Sequence, residues 1–596
     1  MPAQSSEIEL PRIPVAVDGI QVNFCKNPSC KNYGVPASPA SQSRGRRVRA
    51  GNDTYTIVSS KGEPAIKCKL CGEVPSQKSN IAIKEETDRI SSYLSIKGKE
   101  PTCSDKSCEN HTVGISAGKH HYKSNGTTKS GSQRYLCKAC GKTFSASKSP
   151  ILRQRKAHKN ALIFSLLMNH SPFKRICEVA DIGMWTLLKK IDFIHDQCLA
   201  FVANRERKLM NGEVSVEKLY LAVDRQVHLV NWTDTNDKRN VTLWAMGSAD
   251  TRTRYVFGMH LNFDPSVDKR QIENDVKNND DYLKPNAHRR YARLWLQKDY
   301  IDARIYNAKR QAERTRHAPL HESITTVYED IANRNDVEIF ENQTNITKLP
   351  SKGMQVHAEY TVYAHFFFLK KLLKHVGKIR FFLDQDTSFR AACLTAFVDE
   401  IYERKCDAFY VKITPEMTNH ERNKAVAETN KELNRLYDKY QVPEVDLKHE
   451  LIKEKMREMV TIGQWRDKWF INPIATKSEP EKAVCYLTDF GDYDEDHLAR
   501  LYAMASLHAL DTFFMQARRR VQLLERPLNS HTKMEQKWFL YSAYNPERVT
   551  KLMDIFRVFY NYVEVSDKDK MTPAMRLGLA KGPVSIEDIL YYQKQK

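Results

Sequence analysis

Runs of apolar residues bounded by turn-forming residues predict strands in the middle of the chain. Three runs follow one another with short connections and predict an antiparallel meander: LYLAVD (219–224), VTLWAMGSAD (241–250) and RYVFGMHLNF (254–263). Two later runs flank the helical segment SFRAACLTAFVDEIYER: KIRFFLDQD (378–386) and DAFYVKI (407–413). Asp224 and Asp384 each end a predicted strand, so we expect these two carboxylates side by side at one edge of a mixed sheet.

A helical pattern dominates residues 497–527. Apolar residues recur there at spacings of three and four and predict a core-facing stripe: Leu507, Leu510, Phe514, Ala517, Val521 and Leu524. Asp511 lies on the border of this stripe. Two turns further on, Arg518, Arg519 and Arg520 are placed to meet phosphate. The segment is therefore predicted to be one long helix that carries an acid beside a basic cluster.

Three acids are predicted to converge. Adjacent carboxylates repel each other, and a divalent cation between them relieves that repulsion. Asp224 and Asp384 would come from strands and Asp511 from the helix. Some alternatives stay open: Asp386 for the second position, and Glu525 or the acidic loop 489–496 for the third.

A trihelical unit is predicted before the first strand. Residues in KAHKNALIFSLLMNH have helical spacing, Ser171-Pro172 then begin the helix Phe173–Asp181, and a glycine-containing turn leads to a third helix, Met184–Gln197. This order is typical of a helix-turn-helix. The residues of the recognition helix expected to face DNA are Trp185, Thr186, Lys189 and Lys190. A plain three-helix bundle used for dimerisation is the alternative.

Eight of the thirteen cysteines lie within the first 140 residues, in four close pairs that form a repeat. FCKNPSCKNYGV and TCSDKSCENHTV share one spacing, and KCKLCGEV and LCKACGKTF share another. Thiolate pairs at such spacings bind the two sides of a tetrahedral zinc ion. We therefore predict two zinc ribbons, with His111, His120 and His121 at the surface rather than among the ligands. The first has the ligands Cys25, Cys30, Cys68 and Cys71; the second has Cys103, Cys108, Cys137 and Cys140.

Length and charge narrow the class of protein. The chain has 596 residues, 41% of them hydrophobic, so several folded domains are expected rather than disorder. Lys and Arg outnumber Asp and Glu by 94 to 73, which suits a polyanionic partner. No apolar run approaches the roughly 20 residues of a membrane helix, and the amino terminus lacks the pattern of a secretory signal. We expect a soluble, cytoplasmic, nucleoid-associated protein with no membrane partner.

Taken together, these segments resemble bacterial insertion-sequence transposases of the DDE type, which have an RNase H-like catalytic domain. The resemblance rests on NGTTKSGSQRYLCKACGKTFS, the helix-turn-helix after it, the strand ending in Asp224, FFLDQD, LDTFFMQARRRVQLLERP, and the tail from YNPERVTKL to RLGLAKGP. The third acid departs from the family, since Asp511 stands where Glu is usual. The long gaps between the acids also imply insertions.

The fold class expected is multidomain α+β, with two zinc ribbons, an all-α helix-turn-helix and an α/β RNase H-like mixed-sheet domain with helical insertions. The predicted boundaries are 20–90 and 101–149 for the ribbons, 150–203 for the helix-turn-helix, 216–530 for the catalytic domain and 531–596 for a helical tail. The insertions are expected at about 266–376 and 415–480, the second through the amphipathic helices NKAVAETNKELNRLYDKY and LKHELIKEKMREMV.

The resemblance implies binding of element ends and target as double-stranded DNA, by a homo-oligomer, followed by phosphodiester hydrolysis and strand transfer. Asp224, Asp384 and Asp511 would hold two Mg²⁺ (or Mn²⁺) ions about 3.5–4 Å apart, while the two zinc ions would be structural. Two alternatives stay open: a domesticated, catalytically inactive DNA-binding regulator, and an RNase H-like nuclease that does not transpose.

Overall fold

The computed structural model describes most of the chain. The described residues are 10–39, 54–60, 63–95, 102–115, 120–127, 133–145, 154–231, 241–300, 353–414, 417–463, 466–525, 528–529, 536–537 and 543–592. Residues 301–352, which make up much of the first predicted insertion, lie outside this set. None of the helices within the described ranges is both long and apolar enough to span a membrane.

The described strands and helices occur largely in separate runs along the chain, which is an α+β pattern. The strands are β1 (Tyr55–Ser60), β2 (Glu63–Cys68), β3 (Tyr122–Thr127), β4 (Gln133–Cys137), β5 (Thr143–Ser145), β6 (Lys218–Asn231), β7 (Val241–Asp250), β8 (Val256–Leu261), β9 (Phe263–Asp264), β10 (Met354–Gln355), β11 (Lys378–Asp384), β12 (Cys406–Ile413), β13 (Val460–Ile462), β14 (Asp467–Asn472), β15 (Lys482–Tyr486), β16 (Leu528–Asn529), β17 (Gln536–Lys537) and β18 (Ala543–Tyr544). The helices are α1 (Asn80–Ser91), α2 (Asn160–Leu167), α3 (Phe173–Ala180), α4 (Met184–Met210), α5 (Lys269–Asn278), α6 (Ala358–Leu372), α7 (Thr387–Ala396), α8 (Val398–Tyr402), α9 (Asn419–Tyr440), α10 (Glu444–Met456), α11 (Glu495–Met504), α12 (His508–Arg520), α13 (Pro546–Tyr562), α14 (Pro573–Leu577) and α15 (Ile586–Leu590).

A mixed sheet forms the centre of the molecule. Its strand order is β13-β14-β15-β12-β11-β6-β7-β8, with β18 added beside β6. The meander β6-β7-β8 is antiparallel, as predicted, and β11 and β12 run parallel to β6. The apolar runs explain this arrangement, since strands buried on both faces need continuous apolar sequences.

The first strand is longer than its apolar run suggests. β6 continues to Asn231, and β7 pairs with it from Leu221 to Val230. Asp224 therefore lies within β6 and not at its end, which corrects the prediction. The long antiparallel partner supplies hydrogen bonds beyond Asp224, so the strand does not stop where its apolar run does.

The segment predicted as one helix over 497–527 is broken. α11 ends at Met504, Ala505 is extended, and α12 begins at His508. A buried pair from elsewhere in the sequence satisfies the freed backbone groups. The Lys482 Nζ donates to the Ala505 carbonyl over 2.7 Å, and a Glu479 carboxylate oxygen accepts from the Leu507 N–H over 3.0 Å. The predicted apolar stripe is nevertheless buried.

Helices α2, α3 and α4 occupy the predicted trihelical region and pack against one another. The third helix does not stop at Gln197 but continues to Met210. Its buried residues keep the helical spacing beyond that point, through Cys198, Phe201 and Val202 to Leu209. The carboxy-terminal helix α13 packs along this extension and against β8. The tail is therefore part of the same hydrophobic core.

The second predicted insertion is helical only in part. α9 and α10 form a hairpin with a small hydrophobic cluster of its own. Residues Val460–Ile462 and Asp467–Asn472 then return as β13 and β14 and extend the main sheet. Within the first predicted insertion, α6 is buried along most of its length and packs on β7 and β8.

Candidate functional site

The eight paired cysteines form two compact clusters. In each cluster the four sulfur atoms lie within 4.8 Å of one another. The separations across the pairs are 3.4 Å for Cys25–Cys71, 3.7 Å for Cys30–Cys68, 3.3 Å for Cys103–Cys140 and 3.7 Å for Cys108–Cys137. Tetrahedral zinc with Zn–S bonds of about 2.3 Å needs sulfur atoms roughly 3.8 Å apart. The clusters therefore fit two structural zinc ions.

The repeat seen in the cysteine spacing extends to the groups around the sulfurs. Asn32 donates to the Cys68 sulfur over 3.1 Å, and Asn110 donates to the Cys137 sulfur over 3.4 Å. In each ribbon a tyrosine also begins the hairpin and lies opposite the third cysteine of the cluster, Tyr55 in the first and Tyr122 in the second. Both hydroxyls accept from the N–H of the first cysteine. Hydrogen bonds of this kind orient metal ligands. The two ribbons therefore share the cysteine spacing and also the asparagine and tyrosine that support the cysteines.

Two of the three predicted surface histidines, His111 and His121, make hydrogen bonds within the second ribbon. His111 bonds through Nδ1 to the Cys103 carbonyl over 2.8 Å, and His121 bonds through Nδ1 to the Asn110 side chain over 3.0 Å. His120 is exposed. None of the three belongs to the cysteine cluster.

Asp224 and Asp384 are neighbours in the central sheet. β11 runs parallel to β6 with Leu383 opposite Val223, so the next residue in each strand brings the two aspartates side by side. Adjacent strands are about 4.8 Å apart, and residues at matching positions face the same side of the sheet. The parallel register thus places the two carboxylates together, as the sequence predicts.

The helix α12 brings Asp511 to the same face. It packs on β6 and β7. Gly247 of β7 lies directly opposite Asp224, so any side chain there would share the face of the sheet with that carboxylate. A Cβ at Gly247 would be 3.0 Å from Phe514 and 3.1 Å from Leu510. The absence of a side chain at Gly247 lets α12 approach closely beside Asp224.

Negative charges within this group of aspartates affect the protonation of Asp224 and Asp511. The pKa of Asp224 is raised well above its ordinary value, first by burial and then by the negative charges of Asp384 and Asp511. The pKa of Asp384 is also raised, mainly by burial, while Lys412 opposes the shift. The pKa of Asp511 is raised to about 6 by loss of hydration and by the charges of Glu479 and Asp384, although part of the residue remains exposed. Cation binding would relieve this crowding.

The aspartates are less compact than the cysteines. Among the described residues, the sets of three or more ligand atoms that all lie within 4.8 Å of one another are the two cysteine clusters. Asp224, Asp384 and Asp511 do not form such a set, and we call this looser group the acidic pocket. Carboxylate oxygens are the ligands that Mg²⁺ prefers, with water and substrate oxygens completing its octahedron, so the type of donor suits magnesium.

Glu479 and Lys482 are site residues that the sequence analysis missed. Both are buried, and the Glu479 carboxylate accepts from the Lys482 Nζ over 3.0 Å and from the Ser506 hydroxyl over 2.5 Å. They fix the break that starts α12, one turn before Asp511. A Glu and a Lys three residues apart look like an ordinary surface pair in the sequence, so nothing local marked them.

The alternative acids have other partners. Asp386 caps α7 through the Ser388 N–H and pairs with Arg225 over 3.0 Å. Glu525 lies 3.5 Å from His170. In the acidic loop, Asp492 pairs with Arg404, Asp494 caps α11, and Asp496 contacts Lys453. Each of these five carboxylates therefore has a partner within the protein other than a shared cation.

The predicted DNA-facing residues of α4 divide into two groups. Trp185 is 72% exposed, Lys189 lies 4.9 Å from the centre of its ring, and Thr186 is partly exposed. Lys190 is buried, and its ammonium group donates to the carbonyls of Arg155 and Lys156 over 2.9 and 3.1 Å. The prediction that Lys190 faces DNA is therefore wrong, because helix periodicity turns it toward the core.

The arginine cluster is similarly divided. Arg519 is exposed, and Arg518 is close enough to oppose the pKa rise of Asp511. Arg520 instead pairs with Glu564, and its guanidinium lies 5.4 Å from the Phe559 ring. Arg520 thus connects α12 to the carboxy-terminal helix, and the prediction that it meets phosphate does not fit its position.

A scan against protein-family models and a search of curated proteins returned no match to this chain.

Proposed function

We propose that the protein is a DNA transposase of the DDE type with an RNase H-like catalytic domain. One observation carries the proposal: Asp224 and Asp384 lie side by side on parallel strands, and Asp511 reaches them from a helix packed on the same face. In addition to burial, the negative charges of Asp384 and Asp511 raise the pKa of Asp224, and the charge of Asp384 also raises the pKa of Asp511, as expected where carboxylates lie close together. Basic side chains oppose the pKa shifts of the three acids without cancelling them: Arg225, Lys412 and Arg518.

The aspartates would hold two Mg²⁺ or Mn²⁺ ions. When bound, these ions would activate a water or 3′-hydroxyl nucleophile and stabilise the leaving oxygen of a phosphodiester. The chain contributes the placement of the carboxylates. The register of β6 and β11 would position Asp224 and Asp384. The close approach of α12 at Gly247, together with the Glu479–Lys482 pair, would position Asp511. Arg518 is close enough to oppose the rise in the pKa of Asp511, and this side chain and the exposed Arg519 would meet the DNA backbone.

Binding of double-stranded DNA would come from the amino-terminal third of the chain. Residues 101–200 contain 16 Lys and Arg against 6 Asp and Glu. Exposed Trp185 and Lys189 lie at the start of α4, where a helix-turn-helix places its base-contacting residues. The two ends of an element must be brought together, so we also propose that the active form is a homo-oligomer on DNA. Such a protein would act in the cytoplasm, at the nucleoid.

The decisive experiment compares Asp224→Asn with the wild-type chain on DNA carrying the sequences that flank the gene. Asp224→Asn removes one metal-binding charge and keeps the side-chain size, so Mg²⁺-dependent cleavage and joining should fall by at least about a hundredfold. Asp384→Asn and Asp511→Asn should behave alike. Asp438→Asn, on an exposed part of α9, is the matched control and should cut normally.

Three outcomes would redirect the proposal. If Asp511→Asn cuts normally and Asp386→Asn or Glu525→Gln does not, the third or second acid is misassigned. If the wild-type protein binds the flanking DNA with high affinity and never cuts it in Mg²⁺ or Mn²⁺, the regulator interpretation replaces the enzyme. Cleavage without joining would favour the nuclease.

A further inference from the structure

The two ribbons differ at the loop that follows their second cysteine. The first ribbon continues Cys30-Lys31-Asn32-Tyr33-Gly34, and the second continues Cys108-Glu109-Asn110-His111-Thr112. The asparagine is shared and bonds a ligand sulfur in both ribbons. Tyr33 and Gly34 therefore replace His111 and Thr112 in an otherwise repeated loop, and this difference needs its own explanation.

Contacts with the central domain account for the difference. Tyr33 is fully buried, and its hydroxyl donates to the Leu394 carbonyl in the last turn of α7 over 2.6 Å. The Tyr402 hydroxyl donates back to the Tyr33 carbonyl over 2.8 Å. Gly34 has a φ of +73°, and a Cβ there would lie 2.6 Å from Val398. The loop is thus shaped to lie against α7 and α8.

The second ribbon makes no such use of the equivalent positions. His111 bonds within its own ribbon, to the Cys103 carbonyl, and Thr112 is exposed. The cysteines of each ribbon lie in a small hydrophobic cluster of their own, but the first ribbon also contributes Phe24 and Tyr33 to the main core. The loop of the first zinc site is therefore packed against the main core and, among the described residues, the equivalent loop of the second is not.

The helix held by Tyr33 leads directly to the acidic pocket. α7 starts at the cap Asp386, two residues after Asp384. The Asp386 carboxylate pairs with Arg225, the neighbour of Asp224, and the Asp386 carbonyl accepts from the Tyr410 hydroxyl over 2.9 Å. The first zinc loop thus supports one end of α7, and the other end sets the backbone that carries Asp384.

We propose that the first zinc ribbon is a brace for the catalytic pocket, with Tyr33 and Gly34 as positioning residues for Asp384, while the second ribbon is left free for DNA. The division of labour rests on the proposed function, but the brace itself is a property of the folded chain. Zinc at the first cluster orders the loop, the loop holds α7, and α7 keeps Asp384 beside Asp224.

The test uses the full-length chain and two readouts. Hydrogen exchange of α7 (Thr387–Ala396) reports the brace directly. Mn²⁺ binding, measured as the signal lost in Asp224→Asn, reports the pocket without any cleavage. Tyr33→Phe and Gly34→Ala should speed exchange in α7 and weaken Mn²⁺ binding by about tenfold, the usual effect of losing a supporting group. Their zinc content should stay at the wild-type value.

Matched controls separate the brace from general damage. Gly72→Ala, in the same ribbon, has a similar φ of +78° but open space around its Cβ, so it imposes the backbone strain without the contact with α8. It should leave both readouts unchanged, as should His111→Ala in the second ribbon. Replacing Cys68 and Cys71 by Ser should reproduce the effect on α7. Replacing Cys137 and Cys140 by Ser should not.

Each result decides one question. Unchanged exchange in α7 for both Tyr33→Phe and Gly34→Ala would overturn the brace. Faster exchange with unaltered Mn²⁺ affinity would also overturn it, because α7 would then not position Asp384. If wild-type protein shows no Mn²⁺ binding that depends on Asp224, the proposed function fails, and the exchange experiment still decides whether the ribbon holds α7.

Discussion

At the scale of single residues, the carboxylates of the acidic pocket repel one another. Asp224 and Asp384 are half-buried side by side, and the exposed Asp511 adds a third charge nearby. A carboxyl group whose pKa is higher in the folded state than in the unfolded state binds protons more readily when folded. Lowering the pH from above the raised folded-state pKa toward the ordinary pKa of the unfolded chain therefore stabilises the metal-free fold. Protons then compete with any bound cation for these carboxylates.

This competition gives a pH-dependent prediction. Because the pKa of Asp511 is raised to about 6, the increase in melting temperature caused by Mg²⁺ should be large at about pH 8 and should fade as the pH drops below about 6. Thermal unfolding at several pH values, with and without Mg²⁺, measures the effect. An equal Mg²⁺ shift at about pH 5 and about pH 8 would contradict the assignment of Asp511 to a cation site.

At the scale of secondary-structure elements, the site depends on how closely α12 lies against the sheet. A Cβ at Gly247 would lie 3.0 Å from Phe514 and 3.1 Å from Leu510, so a side chain there would press against α12. The Glu479–Lys482 pair fixes where the helix starts. The position of Asp511 is thus decided by one glycine and one buried ion pair rather than by the helix sequence alone.

Gly247→Val tests this packing. The added methyl groups would collide with Phe514 and Leu510, so α12 must shift, and overpacking of this kind costs about 1–3 kcal/mol. We expect the melting temperature and the Mg²⁺-dependent stabilisation to fall together. Ser248→Ala is the control. It lies on the opposite face of β7, and its buried hydroxyl has no hydrogen-bond partner among the described residues, so both measurements should stay near wild type. A Gly247→Val protein with a full Mg²⁺ response would refute the packing argument.

At the scale of the whole molecule, a buried polar cluster joins the trihelical unit, the sheet and the tail. Arg557 of α13 pairs with Glu206 of α4 over 2.7 Å and donates to the Phe257 carbonyl of β8 over 3.0 Å. The Tyr255 hydroxyl also donates to Glu206 over 3.0 Å, and Tyr93 bonds the same carboxylate. Three distant parts of the chain therefore share one set of hydrogen bonds and cannot move independently at this point.

Removing one member of this cluster should be costly. Arg557→Met leaves the Glu206 charge buried without its cation, which typically costs about 3–5 kcal/mol of unfolding free energy. Urea unfolding measures the loss. The double variant Arg557→Met with Glu206→Gln removes the stranded charge and should recover a large part of the stability. If the double variant is as unstable as the single one, packing and not charge dominates the cluster.

Metal content is a second property of the whole chain. Two closed four-cysteine clusters predict about two zinc ions per chain. Replacing Cys137 and Cys140 by Ser should remove one ion and weaken DNA binding, with little change in the unfolding of the main core, because the second ribbon has its own hydrophobic cluster. Mass spectrometry measures the zinc content, a binding titration measures the affinity for DNA, and melting curves measure the unfolding. Zinc-free protein from a fresh preparation would exclude the ribbons.

The amino-acid sequence by itself determined the local features. The cysteine repeat, the apolar strands, the acids that follow them and the amphipathic helices α9 and α10 all depend on spacing within a short window. Periodicity reports such preferences directly, because a side chain's face follows from its position in a helix or strand. The clusters of cysteines and the apolar strands β6 and β11 were therefore predictable.

Only the tertiary structure decided which groups meet across long separations. The break before α12 depends on Glu479 and Lys482, Lys190 is turned into the core, and Tyr33 docks on α7. Asp224 lies inside β6 because β7 continues the pairing beyond it. A buried polar group needs a partner wherever the fold can supply one, and periodicity does not specify that partner. The sequence thus marked the candidate ligands, and packing decided which of them share a pocket.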